Sequence, residues 1–150
     1  MSKLKEQLYL LCWEYIKKRE AEIRKIITDA QEAANNDSKS SAGDKFETGR
    51  EVMQQEIDLN LARLNELNKL KLVLEKILPV QKSATALPGS VVLTNNGNYY
   101  ITIGAGLLKV DDTVYYAISA ASPIGTKLAG KKADDEFTLN GKRYIVERVI

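Results

Sequence analysis

The sequence predicts an α+β protein in two parts, an N-terminal antiparallel coiled-coil hairpin over residues 1–78 and a small mixed β-sheet domain with a short helix over 90–150. Residues 79–89 read as the linker. Three observations carry this: a polar, glycine-containing segment between two amphipathic stretches, a pair of prolines that ends the second stretch, and β patterning with Asn-Gly steps beyond them.

In the first stretch Leu4, Leu8, Leu11, Tyr15, Ile23, Ile26, Ile27 and Ala30 recur at helical spacing and mark one face. In the second, Phe46, Met53, Leu67 and Leu74 share one heptad position, with Ile57 and Leu64 four residues on. Two such stripes joined by a short polar segment, Asn35 to Asp44, bury each other by folding back antiparallel, over Leu4–Ala34 and Asp44–Ile77. At about 1.5 Å per residue, arms of roughly thirty residues predict a rod on the order of 45 Å. Pro79 and Pro88 bracket the linker, and the first should stop the second arm near Ile77.

Beyond Gly89 the pattern alternates. Val91–Thr94 and Tyr99–Ile103 flank Asn95-Asn96-Gly97-Asn98, a hairpin signal, and Val114–Ile118, Glu136–Leu139 and Arg143–Ile150 read as further strands, the last two joined by Asn140-Gly141. Pro123 to Gly130 should cover the apolar side of the sheet. Gly104-Ala105-Gly106 lacks the following Lys-Ser/Thr and helix of a phosphate loop.

Composition narrows the chemistry. The chain has no histidine, which excludes Ser/His and Cys/His nucleophilic catalysis and most zinc hydrolase sites. Its one cysteine, Cys12, reads as a packing residue beside Trp13. Trp13, Tyr99-Tyr100 and Tyr115-Tyr116 read as core. The charges, 22 basic against 20 acidic, lack the positive excess of a duplex-DNA binder, so a protein partner is expected. No segment reaches about eighteen uninterrupted apolar residues and no signal peptide is visible, so the expectation is a cytoplasmic chain without a membrane span.

One segment carries a resemblance. Ser122-Pro123, a short helical turn, Gly130-Lys131-Lys132, the acidic turn Asp134-Asp135-Glu136 and a strand are similar to the C-terminal domain of the Gre family of bacterial transcription elongation factors, and Arg50-Glu51 in the second arm matches too. The order of parts over nearly the whole chain also resembles that family. The resemblance implies an FKBP-like C-terminal domain, a monomer, and RNA polymerase as partner, with docking at the rim of its secondary channel through Ser122, Pro123, Gly130 and Lys131. It implies a hairpin end that approaches the backtracked RNA 3′ end and lends carboxylates to a Mg2+ held by the polymerase, the factor itself being no enzyme.

The end of the hairpin departs from the family pattern. Asp37 matches the acid and Lys39 the lysine, but Ser40 and Ser41 stand where the family has Glu and Asn. Two extra residues before Arg50 bring Asp44 and Glu47 into consideration as metal ligands, three apart and so on one helical face. Each has a structural alternative: Asp44 as a helix-start acid after Ser41, Glu47 as a partner for Arg50, Asp37 as a turn residue. Asp134-Asp135-Glu136 reads as a solvated turn and Lys131-Lys132 as a polar rim.

Overall fold

The structure, a computed structural model, describes residues 2–38, 43–79 and 82–150, with side chains described from Lys3 to Asn36 and from Gly49 onward. It contains α1 (Ser2–Ser38), α2 (Gly43–Glu75), β1 (Val91–Thr94), β2 (Gly97–Thr102), β3 (Gly106–Val110), β4 (Thr113–Ser119), α3 (Pro123–Leu128), β5 (Glu136–Leu139) and β6 (Lys142–Val149). Two long helices followed by a mixed six-stranded sheet and a short helix make the α+β fold that the patterning predicts.

The helices run differently at their ends. Helix α1 continues through Asn35 and Asn36 to Ser38, into the segment expected to turn. Extending a helix already nucleated through asparagine costs only about 0.7 kcal/mol per residue relative to alanine. Helix α2 stops at Glu75, and the Lys76 and Ile77 amides donate to Val73 O and Leu74 O, a tightened last turn ahead of Pro79.

The chain packs as two compact units, Met1–Tyr15 with Leu72–Ile150, and Ile16–Lys71. Residues 2–15 therefore pack with the sheet. Within this unit the strand order is β3-β4-β2-β1-β6-β5, with β2 and β4 parallel and every other neighbouring pair antiparallel. Alternation sorts the side chains: Val92, Ile101, Tyr144, Val146 and Phe137 form one core with Leu128 of α3 and Ala86. Tyr100 and Thr102 are buried with the opposite register, Tyr100 lying near Cys12 and Tyr9 of α1. The Tyr9 hydroxyl donates to Leu74 O.

In the second unit Ile16, Ala30, Ile57 and Leu67 are buried, and the antiparallel pairing shows in two contacts. Lys71 is hydrogen-bonded to Glu20, while Ala30 and Ala33 share a groove with Met53 and Glu56. The Lys71 ammonium holds the Glu20 carboxyl below the usual carboxylate range.

Two features went unread in the sequence. Strand β3 was not anticipated. Asn60, seven residues from both Met53 and Leu67, is 2% exposed in the apolar seam, its amide donating to Glu56 O and accepting from Arg63 Nη1. Of the aromatic pairs expected in the core, Tyr116 is 41% exposed.

Candidate functional site

The segment 122–135 is built around α3. Ser122 occupies the N-cap: its Oγ accepts from the Gly125 amide at 3.0 Å and donates to Ser119 O at 2.7 Å. Pro123 follows at the start of the helix, where a missing N–H costs nothing. A Cβ at Gly125 would sit 2.1 Å from Ser119 O, so only glycine lets α3 approach the end of β4 this closely. At the other end Gly130, at φ 75°, donates to Ala86 O at 2.9 Å, and Lys131 O accepts from the Ala86 amide at 2.8 Å.

The four residues expected to dock a partner thus lie together at the two ends of one short helix, and two of them have structural work there. Ser122 and Gly130 hold the helix ends; Pro123 is exposed and Lys131 half-buried. The acidic turn is structural as well. Asp135 Oδ2 accepts from the Lys132 amide at 2.9 Å, and Glu136 forms a forked pair with Arg143 at 2.6 Å.

Asp37 falls in the last residues of α1, and Asp44 and Glu47 in the first turns of α2. The side chains of these three candidate acids lie outside the described residues, as do Lys39, Ser40, Ser41 and Ala42 altogether. Among the described residues no cluster of three or more His, Cys, Asp or Glu side chains is placed to hold a metal ion. Near this end, Gln31, Ala34, Asn35, Arg50, Gln54, Ile57 and Leu61 line a groove of about 520 Å³.

Cys12 is free and fully buried, and burial pushes its thiol up to about 11, so it stays protonated and unreactive at neutral pH. Burial likewise pushes the Tyr100 phenol up and Tyr99 up to about 12. Among the described residues no helix is long and apolar enough to cross a membrane. Comparisons with protein-family models, curated proteins and solved structures give no match.

Proposed function

We propose that this chain binds RNA polymerase at its secondary channel and modulates backtracked elongation complexes, as the Gre-like sequence features suggest. The observation supporting the reading is the order of parts: an antiparallel pair of helices 37 and 33 residues long, then a sheet domain whose Ser122-capped α3 precedes Gly130-Lys131-Lys132. In this reading the sheet domain docks through Pro123 and Lys131, the exposed and half-buried members of the four docking candidates. The end of the hairpin reaches into the channel.

Asp44 and Glu47, with Asp37 across the turn, are of the right chemistry for a hard cation, which prefers carboxylate oxygens. Two or three carboxylates fall short of a magnesium ion's six ligands, so the remaining ligands belong to the polymerase and waters. Such an ion, when bound, supplies an activated water and charge for the leaving oxygen of the RNA phosphodiester. The factor's own residues position carboxylates and exclude bulk water. Ser40 and Ser41, in place of the Gre-like acid and amide, favour a second outcome at the same site, occupation of the channel without cleavage. In a further reading the chain is a protein-binding module outside elongation, for which Val52, Leu59 and Leu61, 53%, 54% and 48% exposed on α2, offer apolar surface.

The test is an RNA-cleavage assay on stalled complexes of the cognate polymerase at several magnesium concentrations, beside a direct binding measurement. Asp44→Ala with Glu47→Ala should abolish stimulation and leave binding unchanged, while Asp37→Ala should only weaken it. Stimulation that survives loss of all three acids refutes the carboxylate role. Tight binding without stimulation by the wild-type chain assigns the blocking role, and no binding removes the polymerase reading.

A further inference from the structure

Strand β3 lies at one end of the sheet, and among the described residues β4 is its only strand neighbour. Its outer edge can be derived from the turn that follows it. Val110 pairs with Thr113 across Asp111 and Asp112, both at positive φ, 48° and 64°, which is a two-residue turn of the hairpin-favouring kind. The turn's own hydrogen bond joins Val110 and Thr113, and antiparallel pairs alternate between bonded and non-bonded. Leu108–Tyr115 is then a bonded pair, whereas Leu107 and Lys109 sit in non-bonded pairs and turn their N–H and C=O groups outward.

Beside this edge is a cleft of about 330 Å³ lined by Gln7, Leu10, Leu11 and Glu14 of α1 and by Lys109, Val110 and Asp111. All belong to one compact unit. The lining combines apolar Leu10, 60% exposed, Leu11 and Val110 with the acids Glu14 and Asp111. Neither acid has an ion-pair partner among the described residues; Lys109, which also lines the cleft, pairs with Asp112 at 3.5 Å. Of the devices that blunt natural sheet edges, Gly106-Leu107-Leu108-Lys109-Val110 has short length and a single lysine but no proline and no bulge in its pairing with β4.

We propose that the β3 edge and its cleft bind an extended segment of another protein by strand addition, the segment carrying an apolar residue and, two positions on, a basic one. The spacing of the two recognition elements fits that pattern. Leu10 and Glu14 are one helical turn apart, about 6 Å along α1, and residues i and i+2 of a strand are about 6.6 Å apart on one face. The apolar side chain meets Leu10, Leu11 and Val110, the basic one Glu14 and Asp111, and the backbone meets Leu107 and Lys109.

Charge disfavours a second copy of this chain as occupant. The two-fold register that matches the outward groups is centred on Leu108, with Leu107 opposite Lys109 of the second copy. It sets Asp111 opposite Ala105, and Lys109 projects from the face of the strand away from Leu108 and Val110. The acids of the cleft would receive no cation. This inference is independent of the polymerase reading and of the chemistry at the hairpin end.

The test uses the full chain and a fluorescein-labelled nine-residue peptide of alternating threonine and valine in which one inner valine is lysine. Saturable binding by fluorescence anisotropy is expected. It should weaken at least about tenfold when the lysine becomes glutamate, when Glu14→Gln and Asp111→Asn are combined, or in Lys109→Pro, which removes an outward N–H. Because Lys109→Pro bears on the fold as well, a peptide N-methylated at alternate positions serves as the second probe; one of its two registers must fail to bind. No saturable binding, or equal binding by the glutamate peptide and by both N-methylated registers, overturns the proposal. So does concentration-dependent self-association of the chain alone that Lys109→Pro abolishes.

Discussion

Replacing Gly125 with alanine sets two physical effects against each other. Alanine is favoured over glycine inside a helix by about 0.8–1 kcal/mol, so propensity alone predicts a stabilised α3. The local packing predicts the opposite. The new Cβ would lie 2.1 Å from Ser119 O and 3.0 Å from Ala120 O, backbone atoms that cannot rotate away. Relief to an ordinary contact near 3.4 Å requires the first turn of α3 to retreat by about 1 Å, a distance set by van der Waals packing. That movement breaks the Ser122 cap, whose hydrogen bonds are 3.0 and 2.7 Å, and draws the fully buried Leu128 from its core. Overpacking of this kind costs about 1–3 kcal/mol and the cap about 1 kcal/mol more, so the net after propensity is roughly 1–3 kcal/mol of destabilisation. In urea, with a slope of about 2 kcal/mol per molar, the unfolding midpoint followed by tyrosine fluorescence should fall by about 0.5–1.5 M. Gly104→Ala is the control, since nothing lies within 4 Å of its added Cβ, and it should move the midpoint little. A midpoint for Gly125→Ala equal to or above wild type would refute the steric argument.

Asn60→Leu should raise the stability of the full chain by about 1–2 kcal/mol, because leucine removes a buried amide from an apolar seam; chemical denaturation checks it, and a loss of stability would show that the Glu56 and Arg63 hydrogen bonds outweigh burial. The alkaline limb should carry the signature of Cys12. Its thiol is raised from 9.0 to about 11, so the folded state holds the proton more tightly, and the stabilisation is complete below pH 9 and lost as pH rises through 11. The stability difference between wild type and Cys12→Ala should therefore shrink by about 2–3 kcal/mol between pH 8 and 11. Lys5, whose ammonium is lowered by burial and then by Lys82, acts with the opposite sign below 10.5, and it cancels in that difference. A pH-independent difference would place the thiol in contact with solvent.

Where one signal dominated locally, the sequence could be read. The apolar stripes gave both long helices, and the Asn140-Gly141 step gave the β5–β6 hairpin, which the φ values of 52° and 80° bear out. Strand β3 was missed because its cue is weak: five residues opening on Gly106, Gly104 just before them, and an Asp111-Asp112 turn, in which two aspartates adopt the positive φ usually filled by Asn-Gly. The register Leu107↔Tyr116 leaves both side chains largely exposed, so β3 shows no clean alternation of its own. In the β1–β2 hairpin the turn is Asn95-Asn96, with Gly97 already paired to Thr94, a one-residue displacement that patterning does not resolve. Asn60 was legible by arithmetic alone, at the seven-residue step between Met53 and Leu67. The docking candidates, by contrast, were found as a motif, and their cap and close-approach roles depend on tertiary contacts with Ser119 and Ala86.

Those roles change what the Gre-like segment argues for. A serine cap, a proline in the first turn, a glycine at a 2.1 Å approach and a positive-φ glycine at the exit are what α3 needs to sit against this sheet, whatever the protein binds. Any chain with the same helix on the same sheet is under the same constraints, so likeness in residues 122–130 speaks first to fold. Pro123 and Lys131 remain available to a partner because neither side chain is consumed by those contacts. The chemical part of the functional reading, separate from the order of parts, therefore rests on Asp37, Asp44 and Glu47. In the sequence these acids flank the segment between α1 and α2, where a helix-start or turn role and metal ligation both call for a carboxylate. Paired measurements that vary the acids and read binding and cleavage separately thus discriminate between activities, while substitutions around α3 measure first the stability of the sheet domain.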